Sequence, residues 1–180
     1  MKRRVRLERP SRRRVTDFLA AVRRSRRLHG AWVSPPTTAT AYRDYLRRIR
    51  RPSHAGYLVC LADSGDLVGV VNVSEIVRGN FQSAYLGYYA FAPHAGRGLI
   101  AEGLALVLRE AFGRLGLHRL EANVQPGNAS SRRLVRRLGF RREGFSPRYL
   151  TVAGRWRDHE RWAILAEEWP GGRWAPARAW

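Results

Sequence analysis

Gly96, Arg97 and Gly98 stand where an extended run, Ala84 to Phe91, gives way to an apolar helical pattern that starts at Leu99. Free amides at a helix start point outward, the helix dipole favours negative charge, and residues without a Cβ let a phosphate approach the main chain closely. A pyrophosphate fits such a place. The same glycine pair also makes a tight strand-to-helix turn with no ligand, which is the first reading of an isolated Gly-x-Gly. A Walker A loop is excluded, because Leu99 and Ile100 follow Gly98 where Lys and Ser or Thr are required. Gly96-Arg97-Gly98-Leu99-Ile100-Ala101 does satisfy the dinucleotide fingerprint, with Glu121 further on. Its context opposes that reading, since antiparallel strands precede the loop and only two helices follow it.

Two other local features could carry chemistry. Asn128 sits where a helix cap belongs, with Ser131 in the first helical turn behind it. Cys60 lies inside a strand pattern with no adjacent histidine, so it reads as buried packing and not as a nucleophile. A single cysteine forms no internal disulfide and suits a reducing compartment. His29, His54, His94 and His118 share no face, and no metal is expected.

The elements that must position these residues follow from periodicity. Arg3 to Leu7 alternates as a short strand, and Arg13 to Leu28 carries Val15, Phe18, Leu19 and Val22 on one helical stripe with Ser11 as cap. After Pro35-Pro36 a second helix is expected over Thr40 to Arg51, burying Tyr42, Tyr45, Leu46 and Ile49. Gly56 to Ala62 and Leu67 to Ile76 form a hairpin about Asp63-Ser64-Gly65-Asp66, and Ala84 to Phe91 is a third strand of that group. Then come a helix from Leu99 to about Arg114, a strand from Leu117 to Val124, a helix from Ala129 to Leu138, and a strand pair from Phe145 to Ala166 turning at Ala153-Gly154. Antiparallel strands followed by one βαβ crossover make an α+β (mixed α/β) fold: a mixed, mostly antiparallel central sheet flanked by helices.

The chain has 180 residues, which is one domain's length, and an apolar fraction of 44 % excludes wholesale disorder. We expect a single domain over 1–166 and a Pro/Gly/Trp-containing, loosely held tail over 167–180. The formal net charge is +20, and Lys2 is the single lysine among 34 cationic residues. So complete an arginine bias reflects coding composition as well as function, yet the field still steers the chain toward polyanions. The basic opening is followed by no apolar signal region and no long apolar window occurs, so a cytoplasmic location is expected.

With the glycine loop in place, Asn128-Ala129-Ser130-Ser131 and Leu138-Gly139-Phe140 make the sequence resemble the GCN5-related N-acetyltransferases. The family's (Q/R)xxGx(G/A) loop reads here Pro93-His94-Ala95-Gly96-Arg97-Gly98, with proline at the first position. Glu102, Glu143-Gly144-Phe145, Tyr149-Leu150, Gly154, Trp156 and Asp158-His159 are most similar to the Rim-type ribosomal-protein-alanine N-acetyltransferases, closest to the RimJ branch. Together these segments cover about residues 84 to 166.

The resemblance implies acetyl-CoA as cosubstrate, with an acetyl-CoA cleft between central strands and no metal. It implies cofactor contacts at Phe91, Gly96, Arg97, Gly98, Leu99, Asn128 and Ser131. Transfer from a thioester needs a neutral amine, a donor to the oxyanion and a donor to the leaving thiolate. Ser131 is the family-matched donor to the sulfur, and its plainer reading is a first-turn residue. Glu75, at the end of a hairpin strand, is the candidate general base; it reads equally as an exposed carboxylate paired with Arg78. Glu102 suits the dipole of its helix and is given a structural role. Asp158 and His159 line the acceptor pocket or form a sheet-surface ion pair.

The resemblance implies acetylation of the N-terminal alanine of a ribosomal protein by direct attack of the amine. Two alternatives stay open: another amine, such as an antibiotic or polyamine, and a catalytically idle RNA-binding or assembly module. The arginine clusters at 12–14, 23–27, 47–51 and around 132–142 suit binding to coenzyme A phosphates and docking near RNA, whereas no membrane partner is expected.

Overall fold

The β-branched run Leu67-Val68-Gly69-Val70-Val71-Asn72-Val73 alternates between two sheet faces, and both faces are covered. In this computed structural model, which describes residues 3–30 and 32–169, the strands are β1 (Val5–Glu8), β2 (Ala55–Leu61), β3 (Leu67–Val77), β4 (Ser83–Ala90), β5 (Arg119–Val124), β6 (Arg141–Val152) and β7 (Arg155–Leu165). They form one seven-stranded sheet in the order β1-β2-β3-β4-β5-β7-β6. Every pairing is antiparallel except β4 with β5. The mixed α/β architecture anticipated from the sequence is the one observed.

The helices are α1 (Val15–Arg24), α2 (Arg26–His29), α3 (Ala39–Arg48), α4 (Leu99–Phe112) and α5 (Ala129–Arg137), with a 3-10 turn at Arg12–Arg14. Helix α4 buries Leu99, Leu104, Val107, Leu108, Ala111 and Phe112 on one sheet face. Burial of each large apolar side chain contributes about 1.5–3 kcal/mol, so this helix is held firmly. Phe18 and Val22 of α1 and Tyr42, Tyr45 and Leu46 of α3 cover the opposite face around Phe91. Ile49 packs there too but is only half-buried.

Three differences from the sequence expectation have physical causes. The helix expected over Arg13 to Leu28 is broken at Ser25. Its Oγ donates to the Ala21 carbonyl at 2.7 Å and accepts the Ala92 amide at 2.9 Å, so a fully buried hydroxyl serves tertiary structure at the expense of helix continuity. Ser11 makes no side-chain cap, whereas Thr38 caps α3 by accepting from the Ala41 amide. The last strand pair starts at Arg141, because Arg141 and Arg142 find partners on β7.

The tail expected from residue 167 is anchored at its root. Trp169 is buried and packs 6.0 Å from Phe112, and Glu168 pairs with Arg141 and accepts the Leu165 amide. The remainder of that expected tail, 170–180, lies outside the described residues.

Helix α4 approaches β2 at Gly103, where an added Cβ would meet the Val59 side chain at 2.5 Å. Gly103→Leu should therefore destabilise the fold by about 1–3 kcal/mol through overpacking, measured as a lower urea midpoint at unchanged slope.

Candidate functional site

Parallel pairing of β4 with β5 covers only Ser83↔Arg119, Ala84↔Leu120 and Tyr85↔Glu121. Beyond that point β4 stays paired to β3 as far as Ala90, while β5 stays paired to β7 as far as Val124. The two strands therefore part inside the sheet. From Leu86 onward the edge of β4 that faces away from β3 has no strand beside it. Main-chain groups in such a gap require other partners, and an extended chain carrying amides would supply them. Gly87 leaves open space where a Cβ would stand.

At the mouth of the gap, Gly96 and Gly98 adopt φ of +77° and +76°, a left-handed conformation that L side chains rarely take. Gly98 is the N-cap of α4 and supplies no side chain to it. Among the described residues nothing accepts the amides of Leu99 to Ala101, and a Cβ on Gly96 would meet open space. Arg97 is exposed beside these amides. Nearby, the buried Nδ1 of His94 has no hydrogen-bond partner. Uncapped amides, a helix dipole, an exposed guanidinium and an orphaned ring nitrogen form a receptor for an anion.

Three tethers hold this receptor in place. The Ser25 hydroxyl fixes the Ala92 amide, His29 Nε2 donates to the Ala90 carbonyl at 2.9 Å, and Glu102 of α4 is ion-paired with Arg4 beside β1. Burial pushes the His29 pKa down, so the ring is neutral at pH 7 and makes that bond as one tautomer. Glu102 is thus structural, as the sequence suggested.

Across the gap, the Asn128 side chain accepts the Ser131 amide at 3.1 Å and caps α5. Ser131 Oγ lies 2.6 Å from the hydroxyl of Tyr88 on β4. Burial raises the Tyr88 pKa to about 12, so the phenol keeps its proton and can back the serine hydroxyl as donor. On β5 the buried Asn123 Oδ1 lacks a partner. Sequence reasoning overlooked Tyr88 and Asn123, since an aromatic and an amide inside strands read as packing. The signal available was weak: both occupy the strand ends that flank the glycine loop and the Asn128 cap.

Phe91 is placed otherwise than expected of a cofactor contact. Its ring is fully buried between Phe18, His29 and Tyr89, its amide donates to Val68 and its carbonyl accepts from His94. Glu75 is not brought to Tyr88 and Ser131. It sits on a β3 bulge at φ +50°, next to the zipped part of β4 and β5, two-thirds exposed and 3.6 Å from His54. The expected pairing with Arg78 is absent, because Arg78 donates to the Leu115 carbonyl.

Asp158 and His159 form no ion pair with each other. Asp158 accepts the Arg148 amide at 2.7 Å, fixing a β6 residue at φ +47°. His159 is buried, its Nδ1 donates to the Arg157 carbonyl, and it meets the Tyr149 ring edge-on. Tyr149 in turn touches the Tyr85 hydroxyl at 3.3 Å, and this contact raises the Tyr85 pKa to about 12. Cys60 is fully buried, which pushes its thiol pKa up and removes it from nucleophilic chemistry. No group of His, Cys, Asp and Glu fit to hold a metal occurs among the described residues.

The arrangement has relatives. The family described as "Acetyltransferase (GNAT) domain" matches residues 4–141. A probable N-acetyltransferase of Bacillus subtilis is 35 % identical over 122 residues, 68 % of this chain and 67 % of that protein. The [ribosomal protein uS5]-alanine N-acetyltransferase of Escherichia coli is 40 % identical over 111 residues, 62 % of this chain and 57 % of the relative. The chain thus spans under two thirds of the latter's length. Mycobacterium smegmatis RimJ, solved in complex with CoA-disulfide, superposes with a TM-score of 0.84 at 29 % identity, over 92 % of this chain and 84 % of that one.

Buried His29 and His159 both have pKa values below the ordinary 6.5, chiefly through desolvation. The unfolded chain then binds more protons just below pH 6.5, so their stabilisation is complete above that pH and is lost as pH falls toward the lowered folded-state values. The carboxylates held low by arginines, Glu8 and Glu143, act only below their ordinary 4.5. Urea unfolding from pH 7 to 5 should show falling stability, and His159→Gln should flatten that slope.

Proposed function

The chain belongs to the acetyltransferase (GNAT) family, and from that premise we propose that it transfers the acetyl group of acetyl-CoA to the N-terminal alanine of a ribosomal protein, by direct attack of the amine on the thioester. The observation that carries the transferase reading is the gap between β4 and β5, closed at one end and opening toward uncapped helix amides. In this reading the Leu99 to Ala101 amides and Arg97 hold the cofactor's diphosphate. The free β4 edge at Leu86 to Ala90 accepts its extended pantetheine chain. Support for the acceptor comes from the ribosomal-protein-alanine relative at 40 % identity.

The chemistry asks little of the protein. At pH 7 an α-amine with a pKa of about 7.8 is roughly one-seventh neutral, whereas a lysine side chain near 10.4 is neutral in about one molecule in 2,500. A site without a strong base therefore favours chain termini over lysines. Attack at the carbonyl carbon forms the C–N bond, the C–S bond breaks, and the amine's proton leaves to water. The departing thiolate, with a pKa of about 8.5, needs only a hydrogen-bond donor. Ser131, with its oxygen accepting from the protonated Tyr88, is assigned that role. Glu75 lies outside this cluster, so any proton it takes reaches it through water.

The deciding assay supplies acetyl-CoA with peptides that begin in alanine and contain lysine, and reads mass gain at each amine. Acetylation at the α-amine is expected; modification of lysine or of a polyamine instead would reject the acceptor. Ser131→Ala should lower kcat about 100-fold with KM within about twofold, and Tyr88→Phe should lower it about tenfold. Glu75→Gln should lower the rate more at acidic than at alkaline pH, and an unchanged pH–rate profile removes Glu75 from the mechanism.

A further inference from the structure

Away from the gap, α3 and the 3-10 turn at Arg12–Arg14 enclose a cleft of about 390 Å³ lined by Arg12, Thr40, Arg43, Asp44, Arg47 and Arg50, with Leu46 at its floor. Arg43, Arg47 and Arg50 recur at helical spacing, which sets them along about 10 Å of one edge. Arg12 faces them from the turn. Arg47 is paired with Asp44, and Arg43 is steadied by a hydrogen bond to Thr40, whereas Arg12 and Arg50 have no ion-pair partner among the described residues. The cleft therefore carries a net excess of positive charge in one small volume.

Elsewhere several arginines are drawn into ion pairs. Around α5 and β6, Arg132 and Arg142 meet Glu160, Arg141 meets Glu143 and Glu168, and Arg119 meets Glu121 and Glu143. Carboxylates answer these four arginines. At the cleft a single carboxylate faces four guanidinium groups.

We propose that this cleft is a docking site for the phosphate backbone of a polynucleotide. Guanidinium forks match phosphate oxygens, and several set along one edge match phosphates repeated along a strand. A free nucleotide is the poorer occupant, because Leu46 is buried and no lining side chain offers a ring for a base to stack on. Contacts confined to phosphates give binding without sequence preference and with strong salt dependence. The choice of RNA over DNA rests on the ribosomal acceptor proposed above; the phosphate site itself does not.

The test measures fluorescence anisotropy of a labelled RNA duplex and a DNA duplex of the same sequence over a range of salt, using the full chain, Arg43→Ala/Arg50→Ala, and the control Arg109→Ala/Arg155→Ala. The cleft variant should lose about tenfold or more in affinity with a salt slope lower by about two, while the control stays within about twofold. Acetylation of a short alanine-starting peptide should be unchanged in both variants, which shows them folded and separates this site from the transferase reading. Absence of binding by the full chain, equal loss in the two variants, or displacement of the duplex by stoichiometric acetyl-CoA at matched ionic strength would overturn the site. Tighter binding of the DNA duplex would overturn the choice of RNA.

Discussion

The molecule is organised around two parallel strands that pair for three positions and then part. Strand β4 is held by β3 as far as Ala90, and β5 is held by β7 as far as Val124, so neither can close the gap without losing its other neighbour. An unmet main-chain group away from water costs about 1–3 kcal/mol. A sheet carries that cost only where other pairing over-determines the strands, which is the case here on both sides. The gap is thus a standing demand for an extended partner with amides of its own.

Much of what gives the gap chemical direction comes from outside the two strands. Ser25 and His29, on the N-terminal helices, fix the end of β4 and the loop that follows it. Arg4, just before β1, holds the first turn of α4 through Glu102. Asn128 caps α5 and orients Ser131, which then meets Tyr88 from across the gap. The anion receptor at the start of α4 and the hydroxyl pair between β4 and α5 are separate local structures.

Charge follows a different logic from packing. Near the second half of the sheet Arg119, Arg132, Arg141 and Arg142 are answered by carboxylates, and such pairing lowers the pKa of Glu143. The arginines of the Arg132, Arg141 and Arg142 pairs stay partly open to solvent, so those pairs add little to stability. The net charge of +20 leaves arginines without a carboxylate over much of the surface, and at the cleft between the 3-10 turn and α3 four guanidinium groups line one small volume away from the gap. Binding of a large anion and acetyl transfer can then proceed on different faces of one domain.

The order of elements, the helix start at Gly98, the Asn128 cap and the buried state of Cys60 were legible in the sequence, because each depends on neighbours within a few residues. Turn chemistry, periodicity and capping are local, and so they survive translation into a string of letters. The break at Ser25 and the burial of Trp169 were not legible, since each is decided by a partner far along the chain. Tyr88 shows the division most clearly. Its residue type announced only an aromatic in a strand, and it became a hydrogen-bonding group because folding set it 2.6 Å from a serine 43 residues away. The sequence by itself determined which short segments can receive an anion or begin a helix. Only the tertiary structure decided which side chains face one another across the gap and which arginines are left without a carboxylate, because both depend on distances that no local rule encodes.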